Sequence, residues 1–477
     1  MKTRVIQTEP DRSEPQQPAD GPAQPQTRHL AARVARWSRH HQGTPSPSHA
    51  APRTPAAPSR RRMVSRLATE YVIARAGLAL VAVHVADDSF IQPEPGTSAT
   101  DHLAGGLIPI VALLGAALVY PRLRAGLRAP LAVTLGLFGI VGGIEALYYA
   151  REVGASGDDY TGFLSIPAGL LLIGTGLATL WRTRRRDDAV VRRYLRRAVL
   201  TVGAVLVGYF VFLSLMFAYV VTHTARAVVP PPNLGAPFEE VTFKTSDGLQ
   251  LEGWYVASKN GAAVIVSPGR RGPQRQTRML VRHGYGVLLF DRRGEGESEG
   301  DPNIFGWAGT KDLQAAVGFL HGRPEVDRSR IGGIGLSVGG EMLLQAAAES
   351  DDFAAVVSEG AGIRSVREAA LLGWGKPLDV GVSAMATVGT ALFGNDLPPP
   401  SLEDLVPRIA PRPVFFIYAT HGQGGEELNV DFHAAAREPK TLWEITKGKH
   451  TGGIEAEPAE YERRVVGFFD RALLEGA

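Results

Sequence analysis

Ile331-Gly332-Gly333-Ile334-Gly335-Leu336-Ser337-Val338-Gly339-Gly340 reads as a short apolar strand that breaks into a helix, with Ser337 at the break. Gly335 to Gly339 form Gly-x-Ser-x-Gly. A serine hydroxyl serves as a nucleophile when a sharp, strained strand-to-helix turn presents it, and neighbours without side chains allow the close packing such a turn needs. Ser337 is therefore the candidate nucleophile. The pattern alone does not decide this, because the chain holds 55 glycines in 477 residues and a second match occurs at Gly296-Glu297-Ser298-Glu299-Gly300. That match lies in a run of charges and is followed by Asp301-Pro302, so it is expected to be a loop. After Ser337, by contrast, Met342, Leu343, Leu344, Ala347 and Ala348 recur at helical spacing, and Ile331 and Ile334 bound a buried strand.

Outward from this stretch, strand and helix patterns alternate from the Pro-rich linker at residues 230–238 to the C-terminus, the mark of a mostly parallel sheet covered on both faces. Eight strands are expected, near Glu240 to Thr245, Gln250 to Val256, Ala262 to Ser267, Gly286 to Asp291, Ile331 to Ile334, Ala354 to Ser358, Pro413 to Tyr418 and Leu442 to Ile445. Helices are expected near Gln274 to His283, Trp307 to His321, Ser337 to Ala348, Leu428 to Ala436 and Pro458 to Leu474. Residues 239–477 form the expected catalytic domain.

The N-terminal half differs. Residues 1–62 carry 11 Lys and Arg against 4 Asp and Glu, a surplus larger than the net +3 of the whole chain, so the basic character belongs to this tail. With ten prolines and few large apolar residues apart from Trp37, it is expected to be disordered, and it shows no signal-peptide pattern at its start. Lacking aromatic interleaving, the tail favours anionic lipid or solubility over nucleic acid. Residues 63–229 form long apolar runs of the length a helix needs to cross a hydrocarbon core. Five spans are expected: Tyr71 to Ile91, His102 to Tyr120, Pro130 to Tyr149, Tyr160 to Trp181 and Val199 to Val221, the first interrupted by Arg75, His84, Asp87 and Asp88. Arginines cluster before the first span, between the second and third, and between Arg182 and Arg197, where there are eight; the alternate connections are acidic. Basic residues resist translocation, so the N-terminus is expected in the cytoplasm and residues after Val221 outside, in a plasma membrane. Glu145 and the pairs His84 with Asp87 and Asp101 with His102 lie near span ends, where either a cation or proton site or simple interfacial placement accounts for them. The absence of cysteine excludes disulfides, thiolate metal sites and a cysteine nucleophile.

From Gly235 onward the chain resembles the α/β-hydrolase superfamily. Ser267-Pro268-Gly269-Arg270 stands where that family has a His-Gly turn after its third strand. Phe290-Asp291-Arg292-Arg293-Gly294-Glu295-Gly296-Glu297-Ser298 looks like its strand-four segment, Gly335 to Gly339 matches its nucleophile elbow, and Gly448-Lys449-His450-Thr451-Gly452 resembles its late histidine loop. The resemblance implies an α/β-hydrolase fold, an eight-stranded mostly parallel sheet with helices on both faces, here preceded by an α-helical transmembrane bundle. It implies the order Ser, acid, His. His450 is then the catalytic histidine, whereas His321 and His433 read as ordinary surface or core residues. The family acid is usually an Asp after the seventh strand; none stands there before Asp431, and Glu426 takes the role, with Glu427 and Glu359 as alternatives.

By the same resemblance His450 deprotonates Ser337, an acyl-enzyme forms and water releases it; the backbone N–H groups of Val338 and Arg270 hold the oxyanion. No cofactor and no metal is implied. Arg270 and Arg271 would either favour an anionic substrate or be solvated. About residues 360–411 the family inserts a lid, and here Leu371-Leu372-Gly373-Trp374 and Met385 to Phe393 either cover an apolar acyl pocket or pack in the core. The leading expectation is a membrane-anchored serine hydrolase, esterase- or lipase-like, cleaving a carboxylic ester in a small-molecule or lipid-like substrate, with membrane lipids as neighbours and no nucleic acid as partner. A peptidase or thioesterase would use the same residues. An inert hydrolase-fold domain for binding or sensing, or a membrane protein whose main role belongs to its spans, are the other classes.

Overall fold

The computed structural model describes residues 60–152, 154–155, 157–183, 189–371 and 377–475. The expected disordered tail lies outside them as far as Ser59, as do part of the arginine run after Arg182 and the Leu372-Gly373-Trp374 portion of the expected lid.

Among the described residues six α-helices precede the sheet: α1 (Arg60–Ala86), α2 (Leu103–Val119), α3 (Ala125–Glu152), α4 (Asp159–Arg182), α5 (Val190–Val207) and α6 (Ser214–Thr222). Four stretches among the described residues are long and apolar enough to cross a membrane, Ala68–Ile91, Leu103–Arg122, Ala125–Glu152 and Asp159–Arg182. The first expected span is thus among them despite its charges. The fifth differs from expectation. A π-helical segment, Gly208–Leu213, separates α5 from α6, and the apolar piece Phe210–Thr222 is shorter than a span.

Close backbone approach joins α3 to α4: a Cβ added at Gly136 would come within 2.6 Å of the Gly169 carbonyl oxygen, and the Gly143–Gly162 pair repeats the arrangement two turns on. Lipid tails are as apolar as leucine, so contact of this kind, rather than apolar burial, holds helices together in a bilayer. At one end of the bundle Glu70 of α1 pairs with Arg182 of α4 at 2.7 Å and with Arg128 of α3 at 3.6 Å. At the other end Arg226, just past α6, donates to Glu94 at 2.9 Å and to the Ser298 and Gly300 carbonyls, while its N–H donates to Tyr149 Oη at 2.7 Å. Helices α1 and α3 therefore run in one direction and α4 in the other, and the C-terminal ends of α1, α3 and α6 meet the loop that contains Ser298 and Gly300.

The C-terminal half contains β1 (Glu239–Lys244), β2 (Gln250–Val256), β3 (Ala263–Ser267), α7 (Gln274–Arg282), β4 (Gly286–Phe290), α8 (Gly309–His321), β5 (Ile331–Leu336), α9 (Val338–Glu349) and β6 (Ala355–Glu359). After β6 the chain makes an excursion through α10 (Val366–Ala369), α11 (Pro377–Phe393) and α12 (Leu402–Leu405). It returns as β7 (Val414–Ala419), α13 (Asn429–Ala435), β8 (Lys440–Ile445), α14 (Gly453–Ala456) and α15 (Pro458–Phe469). One sheet of eight strands has the order β1-β2-β4-β3-β5-β6-β7-β8. β2 runs antiparallel to β1 and β4, and all later neighbours are parallel.

Alternate residues of each buried strand serve opposite faces. Ala263 and Ile265 join Leu313, Met342, Leu343 and Phe432 in one core under α8, α9 and α13. Val264 and Val266 join Leu280, Val465 and Phe469 in a second core under α7 and α15. Burial on both sides makes these strands continuous apolar runs. It also fixes the C-terminal edge of β5, β7 and β8 as one rigid rim, where loops can converge.

Candidate active site

Ser337 stands between the last residue of β5 and the first of α9 with φ 52° and ψ −124°. A non-glycine residue holds such a backbone only where its surroundings force it to. Two glycines permit the turn: a Cβ at Gly339 would meet the Pro268 nitrogen at 2.7 Å, and one at Gly335 would strike the Gly339 carbonyl. The Ser337 N–H donates to the Glu359 carbonyl at 2.8 Å, tying the turn to the end of β6.

His450 arrives from the loop after β8, and its Nε2 lies 2.8 Å from Ser337 Oγ. Its Nδ1 contacts Glu426 Oε1. The carboxylate can only accept there, so Nδ1 carries the proton and Nε2 is free to accept the serine hydroxyl. Glu426 begins the turn after β7; its side chain is 1% exposed, and Oε2 accepts the Ala419 N–H at 2.8 Å. The Glu426 hydrogen bond raises the His450 pKa above the ordinary histidine value, against the effect of its burial.

The structure thus brings together Ser337, His450 and Glu426. Glu427 points to solvent. Glu359 is buried but engaged elsewhere, accepting from Gly453 N–H at 2.8 Å and from Tyr461 Oη at 2.6 Å, so it ties the serine turn to the histidine loop. Burial pushes its pKa up to about 7, and does the same for Glu341 in the first turn of α9.

One expected oxyanion donor is corrected. The Arg270 N–H donates to Asp291 Oδ1 at 2.8 Å, and the Arg270 guanidinium clasps the same carboxylate at 2.7 Å. Asp291 follows β4, next to β3 in the sheet, and captures the donor that the turn after β3 was expected to offer. Arg270 is 4% exposed, so it is neither solvated nor available to an anionic substrate, whereas Arg271 is exposed. The Val338 N–H remains at the N-terminus of α9, ahead of the helical hydrogen-bond ladder.

Ser298 is fully buried as a structural loop residue: Oγ donates to the Asp291 carbonyl at 2.6 Å and accepts from the Glu252 N–H at 2.9 Å. Sequence reasoning passed over Tyr461 and the segment Asn303 to Gly306, whose Gly306 packs against Val338 and Met342. Neither carries a recognisable local pattern. Of the remaining histidines, His421 is exposed and His433 stands edge-on to Phe416 at 6.2 Å. A crevice of about 640 Å³ lies between α1 and α4 around Glu70 and Arg182, and its lining includes none of the residues that surround Ser337.

The strand order and the strained serine turn between β5 and α9 are those of the α/β-hydrolase fold. Residues 233–398 match the family of X-Pro dipeptidyl-peptidases (S15 family), a stretch that includes Ser337 and ends before Glu426 and His450. The uncharacterized protein YfhR of Escherichia coli O157:H7 is 27% identical over 256 residues, covering 49% of this chain and 81% of YfhR. The polyketide transferase grgF of a Penicillium species is 36% identical over 130 residues, covering 26% of this chain and 44% of that protein. Among solved structures, the Pyrococcus furiosus esterase Pf2001 aligns with 53% of this chain and 100% of its own, at 22% identity and a TM-score of 0.42.

Proposed function

We propose that this protein is a membrane-anchored serine hydrolase that cleaves a carboxylic ester with Ser337 as nucleophile, His450 as general base and Glu426 as the acid that orients it. The hydrogen-bonded run from Ser337 Oγ through His450 to Glu426 carries this reading. Ser337 Oγ attacks the ester carbonyl while Nε2 takes its proton; the carbon–oxygen bond breaks as His450 protonates the leaving alcohol. Water then repeats the sequence on the acyl-enzyme, and Ser337 is restored. The buried Glu426 carboxylate stabilises the imidazolium at each stage, and the Val338 N–H contributes to holding the oxyanion. The four apolar helices support the anchor, and the basic flanks of the spans support a cytoplasmic N-terminus with the catalytic half outside.

A peptidase is the second reading, favoured by the match of residues 233–398 to the S15 family. Labelling with a fluorophosphonate, followed by turnover of p-nitrophenyl esters and X-Pro arylamides, tests both. The expected outcome is labelling confined to Ser337 and faster turnover of esters. Preference for X-Pro arylamides would select the peptidase, and a folded protein without labelling would overturn both.

A further inference from the structure

Helix α11, in the excursion between β6 and β7, packs against α6 and not only against the catalytic domain. Gly381 lies against the Phe210 ring, Gly389 against Leu215 and Ala218, and Gly394 against Thr222. The paired positions rise together, so α11 runs alongside α6 in the same direction. Over 13 residues this amounts to about 20 Å, roughly two-thirds of a hydrocarbon core. At the far end Phe393 meets Gly105 of α2 and stands edge-on to Tyr219 at 5.7 Å. Tyr219 in turn packs at 4.9 Å on Phe138, in the middle of α3. Helices α6 and α11 are therefore level with the interior of the bundle.

The composition suits that depth. Val380 to Phe393 contains no charged residue, and the Thr387 hydroxyl returns to the Ser383 carbonyl of the same helix at 2.8 Å. Val388 is 55% and Leu392 39% exposed on α11, and Phe217 is 47% and Val220 41% exposed on α6. Exposed apolar side chains grouped on two packed helices are unfavourable in water and ordinary in lipid. The same surface leads to the catalytic turn. The Ile304 N–H donates to the Val221 carbonyl at 3.0 Å, Phe305 stands 6.0 Å from Phe217, and Gly306 packs against Val338, the neighbour of Ser337.

We propose that α11 is inserted in the bilayer beside α6 as a helix that does not cross it, and that Ser337 acts on the acyl ester of an amphiphile resident in that bilayer, delivered along the α6 and α11 surface. The substrate half rests on the hydrolase reading above; the placement of α11 does not. Because the chain has no native cysteine, a nitroxide at Val388→Cys is a unique reporter. In phosphatidylcholine vesicles it is expected to collide with oxygen more than with a water-soluble nickel chelate, and a label at the fully exposed Asp351 to show the reverse. A water-exposed Val388 label would overturn the placement. The double variant Val388→Asp/Leu392→Asp is expected to lose at least about tenfold in turnover of an oleoyl ester dissolved in the vesicles while keeping turnover of p-nitrophenyl acetate from solution. Equal loss on both substrates, or no loss on the oleoyl ester, would overturn delivery from the bilayer. A Ser337 that takes no fluorophosphonate would remove the hydrolase reading and the acyl substrate with it, while the label depth would still decide where α11 lies.

Discussion

Gly296–Gly300 and Gly335–Gly339 share one pattern and have opposite fates. Ser298 is fully buried, its hydroxyl consumed by two backbone partners on β2 and after β4. Ser337 is held at φ 52° with its hydroxyl 2.8 Å from an imidazole and partly open to solvent. A glycine on either side of a serine permits a tight turn in both places. What makes one serine chemically useful is the strand that drives into the turn, the helix that leaves it, and a histidine brought from elsewhere. A hydroxyl whose proton is held by a backbone carbonyl has no base to pass it to.

The largest effect that would break this comparison is on turnover per folded molecule. Ser337→Ala is expected to reduce it by a factor on the order of 10⁶, since removing the nucleophile removes the unit it belongs to. Ser298→Ala is expected to leave it unchanged, and equal losses would end the distinction. Next, Glu426→Gln is expected to cost a factor on the order of 10⁴ by losing control of the His450 tautomer, with Glu427→Gln near wild type. Steady-state kinetics on a p-nitrophenyl ester separates the pair.

A smaller effect concerns pH. A protonated His450 cannot accept the serine proton, and its pKa is raised mainly by the Glu426 hydrogen bond. Activity is therefore expected to fall as pH drops through a midpoint above about 6.5, the ordinary histidine value. The midpoint of the residual activity in Glu426→Gln is expected to move to lower pH, and an unmoved limb would remove Glu426 as its cause. The smallest effect is the structural cost of Ser298→Ala. It strands the Glu252 N–H, and thermal or denaturant unfolding in detergent is expected to show a loss of about 1–3 kcal/mol.

Much of the fold was legible because it is written in periodicity. All eight strands begin and end within two residues of where apolar runs and turn residues place them. Both sheet faces are covered, so β3 to β7 read as unbroken apolar runs. Ile331–Leu336 extends two residues beyond the expected strand because Gly335 and Leu336 still pair with Ser358 and Glu359 of β6. The four longer membrane-length helices were legible for the same reason, whereas the π segment at Gly208–Leu213 that divides the fifth has no signature in composition.

The sequence by itself determined which serine stands on a strand-to-helix turn, that a parallel sheet carries it, and that long apolar helices precede it, because each follows from the spacing of neighbouring residues. Only the tertiary structure decided between Glu426 and Glu427, adjacent in the chain but one buried and one in solvent. It alone gave Glu359 to Tyr461 and Gly453, took the Arg270 N–H for Asp291, and laid α11 along α6. Those pairings join residues from 21 to more than 100 positions apart. Local spacing carries no record of them, since each partner is brought into reach only when the sheet and helices close around it.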